Sequence, residues 1–244
     1  MKRSSVMLVL ALAALSTGCI GGAVVQRTHY ALGYPMDKVS ERLGTTHPAV
    51  VLVRRFTSEL AYDKYEIVFR ENPYAFGYYT YKLWASKPRK MLQQLVVKHL
   101  REAAVVTEVI ERLEDTPPTY ELDSEVTAIE EINSSEELWL ARLGMRFTLK
   151  RHGFSKVIWS FDFDEQRPVP ERSPFFVVKT MSEILESQLT LAGQDLDERL
   201  TTVEAAGGGV DVPPVLKRPK VPKPAAVPQP GQELPVEPGS QRIR

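Results

Sequence analysis

Residues 138–150 and 156–164 alternate apolar and polar side chains almost without a break. In the first stretch Trp139, Ala141, Leu143, Met145, Phe147 and Leu149 fall on one side and Arg142, Arg146, Thr148 and Lys150 on the other. In the second, Val157, Trp159, Phe161 and Phe163 share a side. A period of two is the signature of a half-buried strand. Gly153 lies between the stretches, where a hairpin needs a turn residue. Residues 120–132 continue the pattern upstream, with Tyr120, Leu122, Val126, Ala128 and Ile132 expected on one face. Three consecutive antiparallel strands follow, and they need something apolar laid against their buried face.

Two segments supply it. Pro88 can open a helix where its missing N–H costs nothing, and Met91, Leu92, Leu95, Val96 and Leu100 recur at helical spacing through residue 102. Ser173-Pro174 reads as an N-cap followed by proline at the first helical position. Val177, Met181, Ile184, Leu185, Gln188, Ala192 and Leu196 then trace a long face to about residue 200. Further strands are expected at 29–32, ending in the breakers Gly33 and Pro35, and at 49–56, a nearly continuous apolar run suited to a strand covered on both faces. A short segment covers 105–110, and 64–70 sets Tyr65, Ile67 and Phe69 against Lys64, Glu66 and Arg70. After the break at Asn72-Pro73, residues 74–84 are unusually aromatic and end in a further strand. The fold class is α/β tending to α+β: one domain with a mixed, largely antiparallel sheet and two main packing helices.

The N-terminus limits where such a domain works. Lys2 and Arg3 precede an apolar run from Val6 to Leu15, then Ser16, Thr17, Gly18 and Cys19. That is a signal peptide. Its apolar run is about ten residues where a spanning helix needs roughly twenty. Cys19 is the sole cysteine of 244 residues and cannot close an intrachain disulfide. Small residues ending in Gly18 fit lipobox cleavage between Gly18 and Cys19, although Leu15 stands one place earlier than the leucine of the usual pattern. A diacylglycerol and an N-acyl chain such as palmitate on Cys19 would then anchor the protein, since several chains hold where one does not. Ile20 follows the cysteine, so the aspartate that retains enteric lipoproteins at the inner membrane is absent, and the periplasm-facing outer membrane is the default. The segments expected are a signal at 1–18, a lipidated tether at 19–28, the folded domain at 29–203 and a tail at 204–244. Beyond Gly207-Gly208-Gly209 the tail is proline-rich and lacks aromatics, so it is expected to stay disordered.

The lipobox, the strand 65–70 (Tyr-Glu-Ile-Val-Phe-Arg), the stretch 78–85 (Tyr-Tyr-Thr-Tyr-Lys-Leu-Trp-Ala) and the helix start Pro88-Arg89-Lys90-Met91-Leu92 together carry a resemblance. The chain resembles the ABC-type transport auxiliary lipoproteins, the PqiC/YmbA-like family, over residues 29–200. The resemblance implies a three-layer α/β domain that works with MCE-domain proteins and ABC-type transporter subunits in lipid transport between the membranes. Nucleotide hydrolysis would belong to another subunit.

The residues themselves offer little chemistry. His29, His47, His99 and His152 lie far apart and outside any metal-ligand spacing. Asp162, Asp164 and Glu165 could offer oxygens to a hard cation, but the first two lie on the polar face of an alternating strand. The aromatic stretch suits either core packing or, at Tyr78, Tyr79, Tyr81 and Trp84, a partner or lipid surface. Arg70 has two readings, pairing with a buried carboxylate or facing water. The chain carries 31 basic and 31 acidic residues. That balance carries no nucleic-acid signature. A homo-oligomer is compatible with these residues, though none requires one. In the tail, Lys217, Arg218, Lys220 and Lys223 interleave with prolines, which favours an extended reach of about 3.1 Å per residue. The alternative to a transport accessory is therefore a structural envelope lipoprotein whose tail contacts peptidoglycan or another envelope protein. A hydrolase with a site invisible in the sequence is a third reading.

Overall fold

The computed structural model describes residues 25–37, 39, 46–113, 117–133 and 139–207; the signal, Cys19, most of the tether and the tail from residue 208 lie outside the described residues. The expected meander is its centre. Strands β7 (Tyr120–Ile132), β8 (Leu140–Arg151) and β9 (Val157–Pro168) pair antiparallel over nearly their full lengths. Gly153 makes the β8–β9 turn at φ 79°, which favours glycine. Strand β9 runs past residue 164 because Leu140–Arg142 still find partners in Gln166–Pro168.

One expectation about β7 needs correction. The register slips between Val126 and Ala128, where Thr127 is an extra residue opposite β8. Residues paired across an antiparallel ladder share a face, so Val126 joins Met145 on the core side while Ala128 joins Gly144 on the other. Ile129 and Glu131, paired with Leu143 and Ala141, therefore take the core face in place of Ala128 and Ile132. Gly144 has a steric reason: a Cβ there would lie 2.7 Å from Thr127 Oγ1 and 3.3 Å from Ala128 Cβ.

The other edge of β7 serves three strands in succession. Val51–Val53 of β2 (His47–Val53), then β3 (Thr57–Ser58), then Val68–Arg70 of β4 (Glu66–Asn72) lie parallel to it. The sheet then forks, through β2 to β6 (Val106–Ile110) and through β4 to β5 (Ala75–Trp84) and β1 (Thr28–Tyr30). A single seven-residue strand could not cover thirteen residues of β7, so β2, β3 and β4 share its length. Ile67 and Val68 are both buried, so β4 is covered on both sides at its middle and is not the half-buried strand its alternation predicts.

Helix α1 (Pro88–Ala103) begins at its proline and ends at Ala104, whose left-handed φ of 51° turns the chain straight into β6. Helix α2 (Pro174–Ala205) is capped by Ser173, whose Oγ accepts from Phe175 N at 3.3 Å. It extends past the predicted end because Leu200 and Val203 are still buried. Leu92 and Val96 of α1 and Val177, Met181, Ile184 and Leu185 of α2 join Leu143, Met145, Phe147, Leu149 and Trp159 in one core. Each such side chain contributes about 1.5–3 kcal/mol on burial. Both helices share that face and touch each other. The architecture is the expected mixed α/β domain with two packing helices and a largely antiparallel sheet; over part of the opposite face lies the 59–65 loop, with no third layer of helix there among the described residues.

Candidate functional site

The outer face of β7–β9 is a lattice of ion pairs. Arg146 bridges Glu125 and Asp162 at 3.1 and 3.3 Å, and Lys150 meets Asp123 at 2.9 Å. Arg142 holds Asp164 at 2.6 Å; Glu165 lies on the other face, towards α2, where Arg167 meets it. The acidic cluster weighed as a cation site is thus occupied by arginines of its own sheet. At one end of the lattice sits Glu130, fully buried, with Arg70 Nε 3.0 and 3.1 Å from its two oxygens, Arg142 Nη1 at 2.8 Å and the Tyr62 hydroxyl donating at 3.0 Å. Of the two readings of Arg70, the buried partner is the one realised. Burial, and then the charge of Glu130, push the Tyr62 phenol up to about 12.

The histidines do not converge. His47 is buried at the start of β2, its Nε2 2.8 Å from Asp197 and its Nδ1 3.0 Å from Glu204, which ties β2 to the end of α2. The second contact does not have hydrogen-bond geometry. His99 Nδ1 meets the Tyr34 hydroxyl at 3.0 Å, His152 meets Glu121 at 2.6 Å, and His29 is exposed. Among the described residues no three or more His, Cys, Asp or Glu side chains stand together as a metal site.

The β4–β5 hairpin has a different character. Tyr74, Tyr81 and Phe76 are exposed, with 44% of Phe76 and of Tyr81 open to solvent, and Tyr65 just before β4 is half exposed. Tyr78 and Tyr79 are partly buried: the Tyr78 hydroxyl donates to the Ala61 carbonyl at 3.4 Å, and the Tyr79 hydroxyl donates to Glu131 at 2.6 Å. Glu131 lies on the core side, and its burial raises the carboxyl above the ordinary range despite the Tyr79 hydrogen bond and Lys82 nearby. Lys64 and Lys82 stand 4.1 and 4.0 Å over the Tyr78 and Tyr79 rings. Phe69 lies across Gly77, its ring filling the space a Cβ would occupy. Trp84 must be removed from the surface set: it is only 1% exposed, closed in where β5 is flanked by β1 and β4. Strand β1 covers β5 only at Lys82–Trp84, so no described strand pairs with the outer edge of residues 75–81. Seven successive residues there carry no charge and no proline, the devices that usually protect an edge. Tyr65, Phe76 and the open edge were not picked out from sequence; the missing protection was the legible signal, but which strand stands at the edge is a matter of tertiary pairing.

The fold is a mixed α/β domain that leaves the aromatic side chains of Tyr74, Phe76 and Tyr81 exposed on one hairpin. By its sequence the chain belongs to a family described as the ABC-type transport auxiliary lipoprotein component, whose model matches residues 30–190. Its members are non-catalytic auxiliary components of ABC-type transport. The fold is similar to the crystal structure of a Xanthomonas campestris protein, at 19% identity and a TM-score of 0.57, covering 75% of this chain and 100% of that one. A second crystal structure, of an uncharacterised protein, matches at 12% identity and the same TM-score of 0.57, covering 70% of this chain and 99% of the other. No curated protein matches. No described helix is long and apolar enough to cross a membrane.

Proposed function

We propose that this protein is a lipid-anchored, periplasm-facing accessory of an MCE/ABC-type lipid transport system, held on the outer membrane through Cys19 and acting by docking and positioning. The observation that carries the docking is the uncharged aromatic edge of β5, residues 75–81, with which no described strand pairs beyond the three-residue β1. A partner strand added there would gain main-chain hydrogen bonds, with Phe76, Tyr78, Tyr79 and Tyr81 supplying side-chain contacts. Anchoring supplies the rest, because a tethered domain meets a membrane-spanning partner at high effective concentration. A photo-crosslinking residue placed at Tyr81 in cells should capture an MCE-domain or transporter subunit, while one placed at Arg146 in the ion-pair lattice should not. Equal capture from both positions, or none from Tyr81, would dismiss the edge as the docking site.

A further inference from the structure

Beyond the carboxyl ends of the parallel strands β2 and β6, where they meet the start of α1, lies a cleft of about 590 Å³. Open α/β sheets place ligands at that kind of position. Three separate chain segments bring cations to it: Arg55 after β2, Lys87, Arg89 and Lys90 at the start of α1, and Arg112 after β6. Among the described residues the only carboxylate lining it is Glu111. Asp63 pairs with Lys87 and Arg89 at 3.3 and 2.9 Å and neutralises part of the charge, but no ion pair is formed by Arg55 or Lys90 among the described residues.

The helix adds to the same field. Lys87 at the N-cap makes no capping hydrogen bond through its side chain, and the first turn has no acidic residue. The positive end of the helix dipole is thus uncompensated by the means helices ordinarily use. Neutral donors are also present. Gln93 Oε1 accepts from Phe56 N at 3.3 Å, which turns its Nε2 protons away from that backbone, and Ser86 lines the cleft beside it. Tyr65, half exposed, gives one wall an apolar ring. Cations, amide donors and an aromatic wall together suit an anion carried on an apolar body, more than a bare inorganic ion.

We infer that this cleft binds the phosphodiester headgroup of an anionic phospholipid, with Arg55 and Lys90 as its principal cations and Tyr65 against the glycerol end. The inference deepens the lipid-transport reading and rests on it. The cleft is distinct from the β5 edge proposed for protein docking, so the two can fail separately.

The test uses the full-length lipidated protein in neutral-detergent micelles, doped in turn with short-chain phosphatidylglycerol, short-chain phosphatidylcholine, or sodium phosphate in the buffer. Amide hydrogen exchange is followed over residues 86–94. Phosphatidylglycerol should slow exchange in the first turn of α1 roughly tenfold at about ten times its Kd. The double variant Arg55→Glu/Lys90→Glu should abolish the slowing, while Arg146→Glu on the opposite face should keep it; unchanged exchange in α2 shows that each variant is folded. No slowing with phosphatidylglycerol, equal slowing with phosphatidylcholine or with phosphate alone, or full slowing in the double variant would each overturn the assignment. Co-purification with a transporter that survives in the double variant would leave the docking proposal standing even then.

Discussion

Glu130 is the residue whose surroundings make the strongest demand on the fold. Its carboxylate is wholly buried, while its partners Arg70 and Arg142 keep 20% and 26% of their side chains in contact with water. Removing an arginine therefore strands a buried charge, whereas removing the glutamate leaves arginines that can still be hydrated. Arg142→Leu loses the 2.8 Å bond but leaves Arg70 on both oxygens. Its cost should be about 1.5–3 kcal/mol, the range for a hydrogen bond to a charged group. Loss of the half-exposed pair with Asp164 adds about 0–1 kcal/mol. Arg70→Leu/Arg142→Leu leaves the carboxylate only the Tyr62 hydroxyl and should cost about 3–5 kcal/mol. Adding Glu130→Gln to that pair should recover half or more of the loss, because the charge is gone and the amide oxygen still accepts from Tyr62. Urea unfolding followed by circular dichroism, with linear extrapolation, measures all three. A double variant that loses less than about 1 kcal/mol, or a triple variant less stable than the double, would refute the claim that an uncompensated buried charge governs this site.

Further predictions rest on other residues. Glu131 has a folded pKa raised above its ordinary 4.5, so the folded state holds that proton more tightly than the unfolded chain does. Its favourable contribution is complete below the unfolded pKa and is lost as pH rises through the folded one. Glu131→Gln should therefore gain in Tm over the parent as pH rises from 4 towards 8, and a gap that narrows over that range would contradict the burial argument. Gly144→Ala should lower stability by about 1–3 kcal/mol through its clash with Thr127. Adding Thr127→Ala should return part of that in thermal melts, and no recovery would place the strain elsewhere. Cys19→Ser should release the protein from membranes into the soluble periplasmic fraction, and retention with the membranes would rule out lipid on that cysteine as the anchor.

The strands of the meander and both helices were legible because their patterns are local: alternation in β8 and β9, and proline and serine at the helix starts. What escaped was set by partners distant in the chain. The slip at Thr127, which exchanges Ala128 for Ile129 on the core face, depends on β8 presenting Gly144 opposite it. The burial of Trp84 depends on β1, whose residues lie more than fifty positions upstream. In the aromatic stretch, composition alone could not separate Trp84 from Tyr81, since both suit a core or an interface equally. The cationic cleft gathers Arg55, Lys90 and Arg112 from three segments that no single window contains.

The central claim, a docking accessory of lipid transport, is tested most directly by purifying the tagged, lipidated protein from envelope membranes in mild detergent, then identifying its protein and lipid companions by mass spectrometry. Recovery of an MCE-domain protein or an ABC-type transporter subunit, together with enriched anionic phospholipid, is the predicted result. Recovery of peptidoglycan-associated proteins alone, with no lipid enrichment, would contradict it and favour a structural role in the envelope.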